Sequence, residues 1–196
     1  MCFFREVLAD VIAGSQPIHV NESEIGERPI HLIRYRGRRL VVAHPGVGAP
    51  LAAAMLEGLI ALGCRKFIAY GGAGVLKSSI SAGQVVVPTS AVRDEGTSYQ
   101  YLRPSREVAP TRRALAAIRR TFAANGVDFV LGKTWTTDAV YRETRARMLK
   151  RRAEGCITVE MEASALFAVA RFRRVELAQM LYGGDDLSGK DWDPRH

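Results

Sequence analysis

The sequence contains no long apolar stretch. No run approaches the roughly 18 to 20 apolar residues that a membrane-spanning helix needs. The opening residues, MCFFREVLADVIAG, carry Arg5, Glu6 and Asp10, where a signal peptide would be apolar. We therefore expect a cytoplasmic protein that does not act at a membrane.

Cysteine and histidine are too scarce and too scattered to predict a metal centre. The three cysteines are odd in number and far apart, which is typical of neither a disulfide framework nor a zinc site. We expect them to be reduced and structural. The four histidines have no clustered partners, so we expect surface or packing roles for them. The cysteines are Cys2, Cys64 and Cys156, and the histidines are His19, His31, His44 and His196.

The formal net charge of +8 raises the question of nucleic-acid binding. The densest basic run, RETRARMLKRRAEG at 142–155, contains two glutamates and no aromatic side chain that could stack on bases. This pattern favours a solvated helix face over a nucleic-acid surface. A small anionic substrate would suit the charge equally well.

The length of 196 residues and the 47% hydrophobic content favour a single domain over residues 1–196. Apolar strand-like runs alternate with helical periodicities, and an Arg36-Gly37 turn joins the first two strands. This order predicts a three-layer α/β domain with a mainly parallel sheet. Strands are predicted within 30–46 and at 66–74, 84–92, 129–138, 156–162 and 175–184, and helices at 50–62, 111–125, 142–154 and 163–173.

Glycines and carboxylates follow four of the predicted strands. In open α/β sheets, ligands bind at the carboxyl ends of the strands, so these segments predict one crevice for a polar, hydroxyl-bearing ligand. The glycines could instead form plain turns, and neither glycine segment is a dinucleotide or P-loop fingerprint. The carboxylates could be structural, for example at a helix N-terminus. The four segments that follow the predicted strands are HPGVG at 44–48, GGAG at 71–74, EME at 160–162 and GGDD at 183–186.

The combination of motifs resembles the nucleoside phosphorylase superfamily, which includes hexameric purine nucleoside phosphorylase, uridine phosphorylase and related nucleosidases. The resemblance covers roughly residues 30 to 190. Its most specific motif is VEMEA at 159–163; GGAG, the segment 79–102, the TWTTDAVY segment and the Gly-Asp strand end accompany it. The resemblance implies a three-layer α/β/α sandwich around a mainly parallel mixed sheet.

The resemblance also implies roles for the acidic residues. Glu162 would accept hydrogen bonds from the ribose 2′ and 3′ hydroxyls, and Met161 would pack against the sugar. Glu160 would lie farther from the sugar and would hold Glu162 and Met161 in position. Asp185, rather than Asp186, would protonate or hydrogen-bond the departing base, which requires a carboxyl group that can hold a proton.

Further residues match the family's substrate pocket. Thr137, Val140 and Val159 would line the base subsite. The backbone around the glycine segment would face the ligand and the nucleophile; these residues are Gly71, Gly72, Ala73 and Gly74.

Several features depart from phosphate-using relatives. Ala69 replaces an arginine that clamps phosphate, Gly72 replaces a hydroxyl residue, and the amino-terminal phosphate loop and the carboxy-terminal helix of the family have no counterpart. Arg28, in a segment where some relatives lend an arginine to a neighbouring subunit, could supply the missing charge. The uridine-reading glutamine and arginine of relatives also have no clear counterpart.

Three functions therefore remain open. The first is a nucleoside phosphorylase that cleaves a purine or pyrimidine nucleoside with phosphate as co-substrate. The second is a nucleosidase that uses water, and the third is a non-catalytic nucleoside-binding or assembly subunit. The resemblance implies no metal or organic cofactor and a homo-oligomer, either a dimer or a trimer of dimers.

Overall fold

The computed structural model describes residues 1–24 and 26–195. Its five helices are α1 (Arg5–Ile12), α2 (Ala49–Ala61), α3 (Arg112–Ala124), α4 (Arg145–Ala153) and α5 (Ala163–Arg173). The strands are β1 (Pro17–Asn21), β2 (Arg28–Tyr35), β3 (Arg38–Ala43), β4 (Lys66–Val75), β5 (Val85–Asp94), β6 (Glu107–Val108), β7 (Phe129–Thr137), β8 (Cys156–Glu160) and β9 (Glu176–Asp186). Within these residues, no helix is long and apolar enough to cross a membrane.

A separate antiparallel sheet contains β1, β2 and β3. Arg36 and Gly37 form the predicted turn between β2 and β3, both with positive φ. The expectation that β3 lies in the main sheet is wrong, because the tight turn pairs β3 with β2 and leaves Leu40 43% exposed. The turn that follows β3 nevertheless reaches the main sheet, as described below.

The main sheet is mixed and closes on itself. β5, β7 and β8 are parallel neighbours, β4 is parallel to β9, and antiparallel pairs join β8 to β4 and β9 to β5. Each of these five strands contributes to one apolar cluster; its members are Ala73, Val75, Val86, Val130, Ile157 and Leu181, together with Ile80. The parallel pairs agree with the predicted mainly parallel sheet. The sequence pattern did not predict that the β5–β9 pair closes the sheet.

Helices cover both faces of the sheet. Leu177 and Ala178 are successive residues of β9. α2 and α5 pack in the apolar cluster that contains Leu177, whereas α3 packs in the apolar cluster that contains Ala178. Successive strand residues point to opposite faces, so the helices form two outer layers. This confirms the predicted three-layer α/β/α class, and α5 is the most deeply placed helix, with Ala163 to Ala170 all buried.

The glycines of GGAG lie within β4, as the predicted strand at 66–74 has them, and the alternative of a plain turn is wrong because β4 continues through them to Val75. A Cβ atom at Gly71 would lie 3.0 Å from the Phe3 ring, and one at Gly74 would lie 2.4 Å from Leu187. Close approach of neighbouring side chains therefore explains Gly71 and Gly74. Other boundaries also moved: α4 starts at Arg145, and β8 ends before Met161.

Candidate active site

One cavity of about 420 Å³ opens where the carboxyl ends of β4, β8 and β9 meet. Most of the residues predicted for the substrate pocket line it. These are Gly71, Gly72, Ala73, Gly74, Val140, Val159, Glu160, Met161, Glu162 and Asp185.

Glu160 holds the start of α5. Its Oε2 accepts hydrogen bonds from the backbone N–H groups of Glu162 (2.8 Å) and Ala163 (2.6 Å), and its Oε1 accepts one from Thr136 Oγ1 (2.7 Å). The side chain is 6% exposed. Burial and then the neighbouring charge of Glu162 raise the pKa of Glu160. Both of its oxygens are engaged by the protein, which makes Glu160 a support for the segment that carries Glu162.

Glu162 has one oxygen held and one available. The backbone N–H of Gly48 donates a 2.6 Å hydrogen bond to Oε1, and the backbone N–H of Met161 also favours the charged form of the carboxyl group. Oε2 accepts no side-chain hydrogen bond from the described residues. Gly48 follows β3 with a φ of 93°, which suits glycine. Burial raises the pKa of Glu162, and the Gly48 hydrogen bond opposes the shift. The turn after β3 thus aims a fixed carboxyl group at the cavity.

Asp185 lies at the carboxyl end of β9 on the cavity wall. The indole Nε1 of Trp192 donates a 2.7 Å hydrogen bond to its Oδ2. Asp186 is used differently, because Arg195 Nη2 donates to its Oδ2 at 2.6 Å and its backbone pairs with Asp193. The segment after β9 therefore folds back and holds both aspartates.

The sequence patterns missed Glu143, which also lines the cavity. It follows a short 3₁₀ helix, Val140–Arg142, inside the basic run that was interpreted as a solvated helix face. That interpretation is also wrong for Arg151, which is 4% exposed and donates to Asp94 Oδ2 at 2.7 Å. A single glutamate among arginines gives no sequence signal that separates a cavity residue from a solvated one.

The cavity is lined by acidic and apolar groups. Its carboxyl groups belong to Glu143, Glu160, Glu162 and Asp185, and no lysine or arginine of the described residues lines it. Ala69, at the position of the missing arginine, is 0% exposed and packs in the core. Aromatic and apolar side chains that the patterns did not predict complete the wall: Phe3, Phe4, Val47, Tyr182 and Leu187.

Two predicted residues lie outside this cavity. Thr137 is 1% exposed, and its Oγ1 accepts a hydrogen bond from the backbone N–H of Ala139 at 3.2 Å. Arg28 lines a different cleft together with Arg5 and His44. Its Nε and Nη1 are buried and have no hydrogen-bond partner in the described part of the chain.

The described histidines make local structural contacts. His44 lies between the backbone N–H of Gly46, 3.1 Å from Nδ1, and the Phe3 carbonyl, 3.2 Å from Nε2. Burial lowers the pKa of His44, which favours this neutral bridging form. His31 contacts Ser15, and His19 contacts Asn21, while His196 lies outside the described residues.

Comparison with known proteins gives consistent matches. The family model of the phosphorylase superfamily matches residues 3–194. A guanosine phosphorylase from Halorubrum lacusprofundi is 31% identical over 84% of this chain and 66% of its own length. A uridine phosphorylase from Treponema pallidum is 32% identical over 71% of this chain and 58% of its own length. The chain therefore spans less than two thirds of either relative.

The fold matches a solved structure over nearly the whole chain. A purine nucleoside phosphorylase from Toxoplasma gondii, in complex with immucillin-H, aligns with a TM-score of 0.83 and 21% identity. The alignment covers 97% of this chain and 77% of that one. At this identity the likeness concerns the fold.

Proposed function

Because the chain belongs to the phosphorylase superfamily, we propose that it cleaves the N-glycosidic bond of a purine or pyrimidine nucleoside and transfers the pentose to inorganic phosphate. The observation that carries the proposal is the convergence of Glu162, Met161 and Asp185 on one cavity. Relatives named guanosine phosphorylase and uridine phosphorylase support phosphate as the acceptor.

Glu162 is suited to hold the sugar. Its Oε2 can accept hydrogen bonds from the vicinal 2′ and 3′ hydroxyls, while Gly48 fixes Oε1. Hydrogen bonds to a carboxylate are stronger than neutral ones, and they strengthen further as the sugar gains positive charge during cleavage. Met161 supplies an adaptable apolar surface for the pentose.

Asp185 is suited to contact the departing base. It lines the cavity near the apolar side chains of Val140, Val159 and Leu187. When the bond between C1′ and the base breaks, the electron pair stays on the base nitrogen. A carboxyl group at this end of the cavity can hydrogen-bond the base as that charge develops.

Binding of phosphate requires a positively charged side chain. Among the described residues, no lysine or arginine lines this cavity. Arg28 is the candidate, because it occupies the segment where some relatives lend an arginine to a neighbouring subunit, and because it lines a cleft with Arg5 and His44. We propose that the active form is a homo-oligomer in which Arg28 of one subunit reaches the phosphate of another. We also propose that the enzyme acts in the cytoplasm, where its three cysteines stay reduced.

Hydrolysis is the second candidate, and the acidic cavity favours it. Four carboxyl groups and no basic side chain of the described residues line the space. Any of these groups that is ionised repels a phosphate dianion at short range, whereas water carries no charge. A nucleosidase would use the same sugar and base contacts, and it would not need a phosphate-binding arginine at the position of Ala69.

Base release from adenosine, guanosine, inosine and uridine, measured by chromatography with and without phosphate, tests the proposal. Phosphorolysis predicts free base and ribose 1-phosphate only when phosphate is present. Free base and ribose at the same rate in both buffers would establish hydrolysis instead. Nucleoside binding without base release in either buffer would favour a non-catalytic member and would contradict the proposal.

The Arg28→Ala variant tests the source of the cation. Because a charge-assisted contact contributes about 1.5 to 3 kcal/mol, we expect the KM for phosphate to rise roughly 10- to 100-fold. The exposed Arg39→Ala serves as the matched control. An unchanged KM for phosphate in Arg28→Ala would exclude this residue from the phosphate site.

A further inference from the structure

Glu143 presents a carboxyl group to the cavity without a hydrogen-bond partner among the described residues. Its backbone N–H donates to the Val140 carbonyl, which places the side chain just after the 3₁₀ turn. The side chain is only partly exposed. A carboxyl group in such a place is either solvated within the cavity or available to a ligand.

The surrounding basic residues do not neutralise Glu143. Arg147, one helical turn further on, donates to Asp94 Oδ2 at 2.8 Å instead. Arg145 donates to the carbonyl of Gly189, and Arg142 is exposed. No ion pair of Glu143 is found in the described part of the chain, although it lies within the densest basic run of the sequence.

The two carboxyl groups at the base end of the cavity differ in their surroundings. Oδ2 of Asp185 accepts a 2.7 Å hydrogen bond from the indole N–H of Trp192, so one of its oxygens already has a protein partner. Glu143 receives no such hydrogen bond and lies close enough to feel the charge of Asp185. Of the two, Glu143 is the carboxyl group whose oxygens have no hydrogen-bond partner among the described residues, which leaves it available to a ligand.

We infer that Glu143 is the general acid that protonates the departing base, with Asp185 beside it on the cavity wall. The inference rests on the proposed function. As the C1′–N bond breaks, its electron pair stays on the base, and the Glu143 carboxyl proton moves to a ring nitrogen of the base. The nucleophile oxygen bonds to C1′, and the proton that the phosphate or water loses returns to Glu143 through solvent.

The titration of Glu143 agrees with this assignment. Burial first, and then the charge of Asp185, raise the pKa of Glu143 to about 7, while the charge of Arg147 opposes the shift. Arg142 and Arg145 are the other charged residues close to it in the chain, and Glu160 and Glu162 are the other carboxyl groups that line the cavity. A carboxyl group with this pKa holds a proton in a large fraction of molecules at neutral pH.

Leaving-group activation tests the role. General acid catalysis contributes about 10² to 10⁴-fold, so Glu143→Gln should lose at least roughly 100-fold in kcat/KM on the preferred nucleoside. On p-nitrophenyl β-ribofuranoside, whose phenolate leaves without a proton, the same variant should lose less than about 5-fold. The exposed Glu22→Gln controls for handling and folding. Wild-type kcat should also fall above the Glu143 pKa, and this fall should vanish in Glu143→Gln.

Equal losses on both substrates, or an unchanged rate on the nucleoside, would overturn the inference while leaving base cleavage by the wild type intact. A wild type that releases no base contradicts the proposed function instead. In that case, ¹³C NMR of labelled glutamate compares the titration of Glu143 in the wild type and in Asp185→Asn. A midpoint below about pH 5 in the wild type would refute a proton-holding Glu143, whereas a midpoint near 7 that falls in the variant would support it.

Discussion

The backbone N–H of Gly48 donates a 2.6 Å hydrogen bond to Oε1 of Glu162, although 114 residues separate them in the chain. This contact joins the turn after the small sheet to the start of α5. It restrains a buried carboxyl group so that only its other oxygen is available to a ligand. A restrained acceptor loses little side-chain entropy when it binds a sugar, which is the physical basis of the proposed ribose contact.

Replacing Glu160 should unfold the protein more readily. Glu160→Ala leaves the N–H groups of Glu162 and Ala163 and the hydroxyl of Thr136 without their buried acceptor. Each unsatisfied buried group costs about 1 to 3 kcal/mol, so we expect a loss of roughly 3 kcal/mol or more in the free energy of unfolding. Urea titration followed by circular dichroism measures it, with the exposed Glu22→Ala as control. A change below about 1 kcal/mol would contradict the capping role.

Removing the indole donor should affect Asp185 but leave the fold intact. Trp192 is 63% exposed, so Trp192→Phe should change the free energy of unfolding by less than about 1 kcal/mol. Losing this hydrogen bond should lower kcat/KM by roughly 10-fold. The same change in an Asp185→Asn background should have a much smaller effect, because the contact is already altered. Additive losses in the double variant would show that the Trp192 contact does not act through Asp185.

Asp94 should be a large contributor to stability. Its Oδ2 accepts hydrogen bonds from Trp135 Nε1 (2.9 Å), Arg147 Nη2 (2.8 Å) and Arg151 Nη2 (2.7 Å). Asp94→Ala leaves the buried Arg151 guanidinium with only Glu154, so we expect a loss of about 3 to 5 kcal/mol in the free energy of unfolding. Thermal and urea unfolding measure the effect against the exposed Asp10→Ala. A loss no larger than that of the control would show that this network does not stabilise the fold.

The contribution of Glu143 to stability should fall as the pH rises toward neutrality. The pKa of Glu143 is raised from 4.5 to about 7 in the folded protein, so the folded state binds more protons than the unfolded state between these values. The contribution is full below pH 4.5 and disappears as the pH rises through about 7. Glu143→Gln should flatten this part of the profile of unfolding free energy against pH. A profile identical to that of the wild type would contradict the assigned pKa.

The local pattern of the sequence predicted most helices and strands, because periodicity and end signals act over a few residues. Leu59 and Gly63, for example, show the buried face and the end of α2. The pattern could not show that β3 leaves the main sheet or that β9 pairs with β5, since strand pairing depends on distant segments. The short helix α1 and the strands β1 and β6 were also not predicted.

The candidate site divides in the same way. VEMEA places Glu160 and Glu162 near each other within the chain, and their motif indicates a sugar contact. The partners Gly48 and Trp192, and the cavity position of Glu143, come only from tertiary packing. The glycines of β4 were visible in the sequence, but their reason was not, because it depends on close neighbours distant in the chain.

The central claim is that the Glu162 carboxylate binds the vicinal hydroxyls of the pentose. The most direct measurement compares kcat/KM of wild type and Glu162→Gln on a ribonucleoside and on its 2′,3′-dideoxy analogue. Since hydrogen bonds to a charged group contribute about 1.5 to 3 kcal/mol each, the account predicts a loss of roughly 100-fold on the ribonucleoside and less than about 3-fold on the analogue. Equal losses on the two substrates, or full activity of Glu162→Gln on the ribonucleoside, would contradict it.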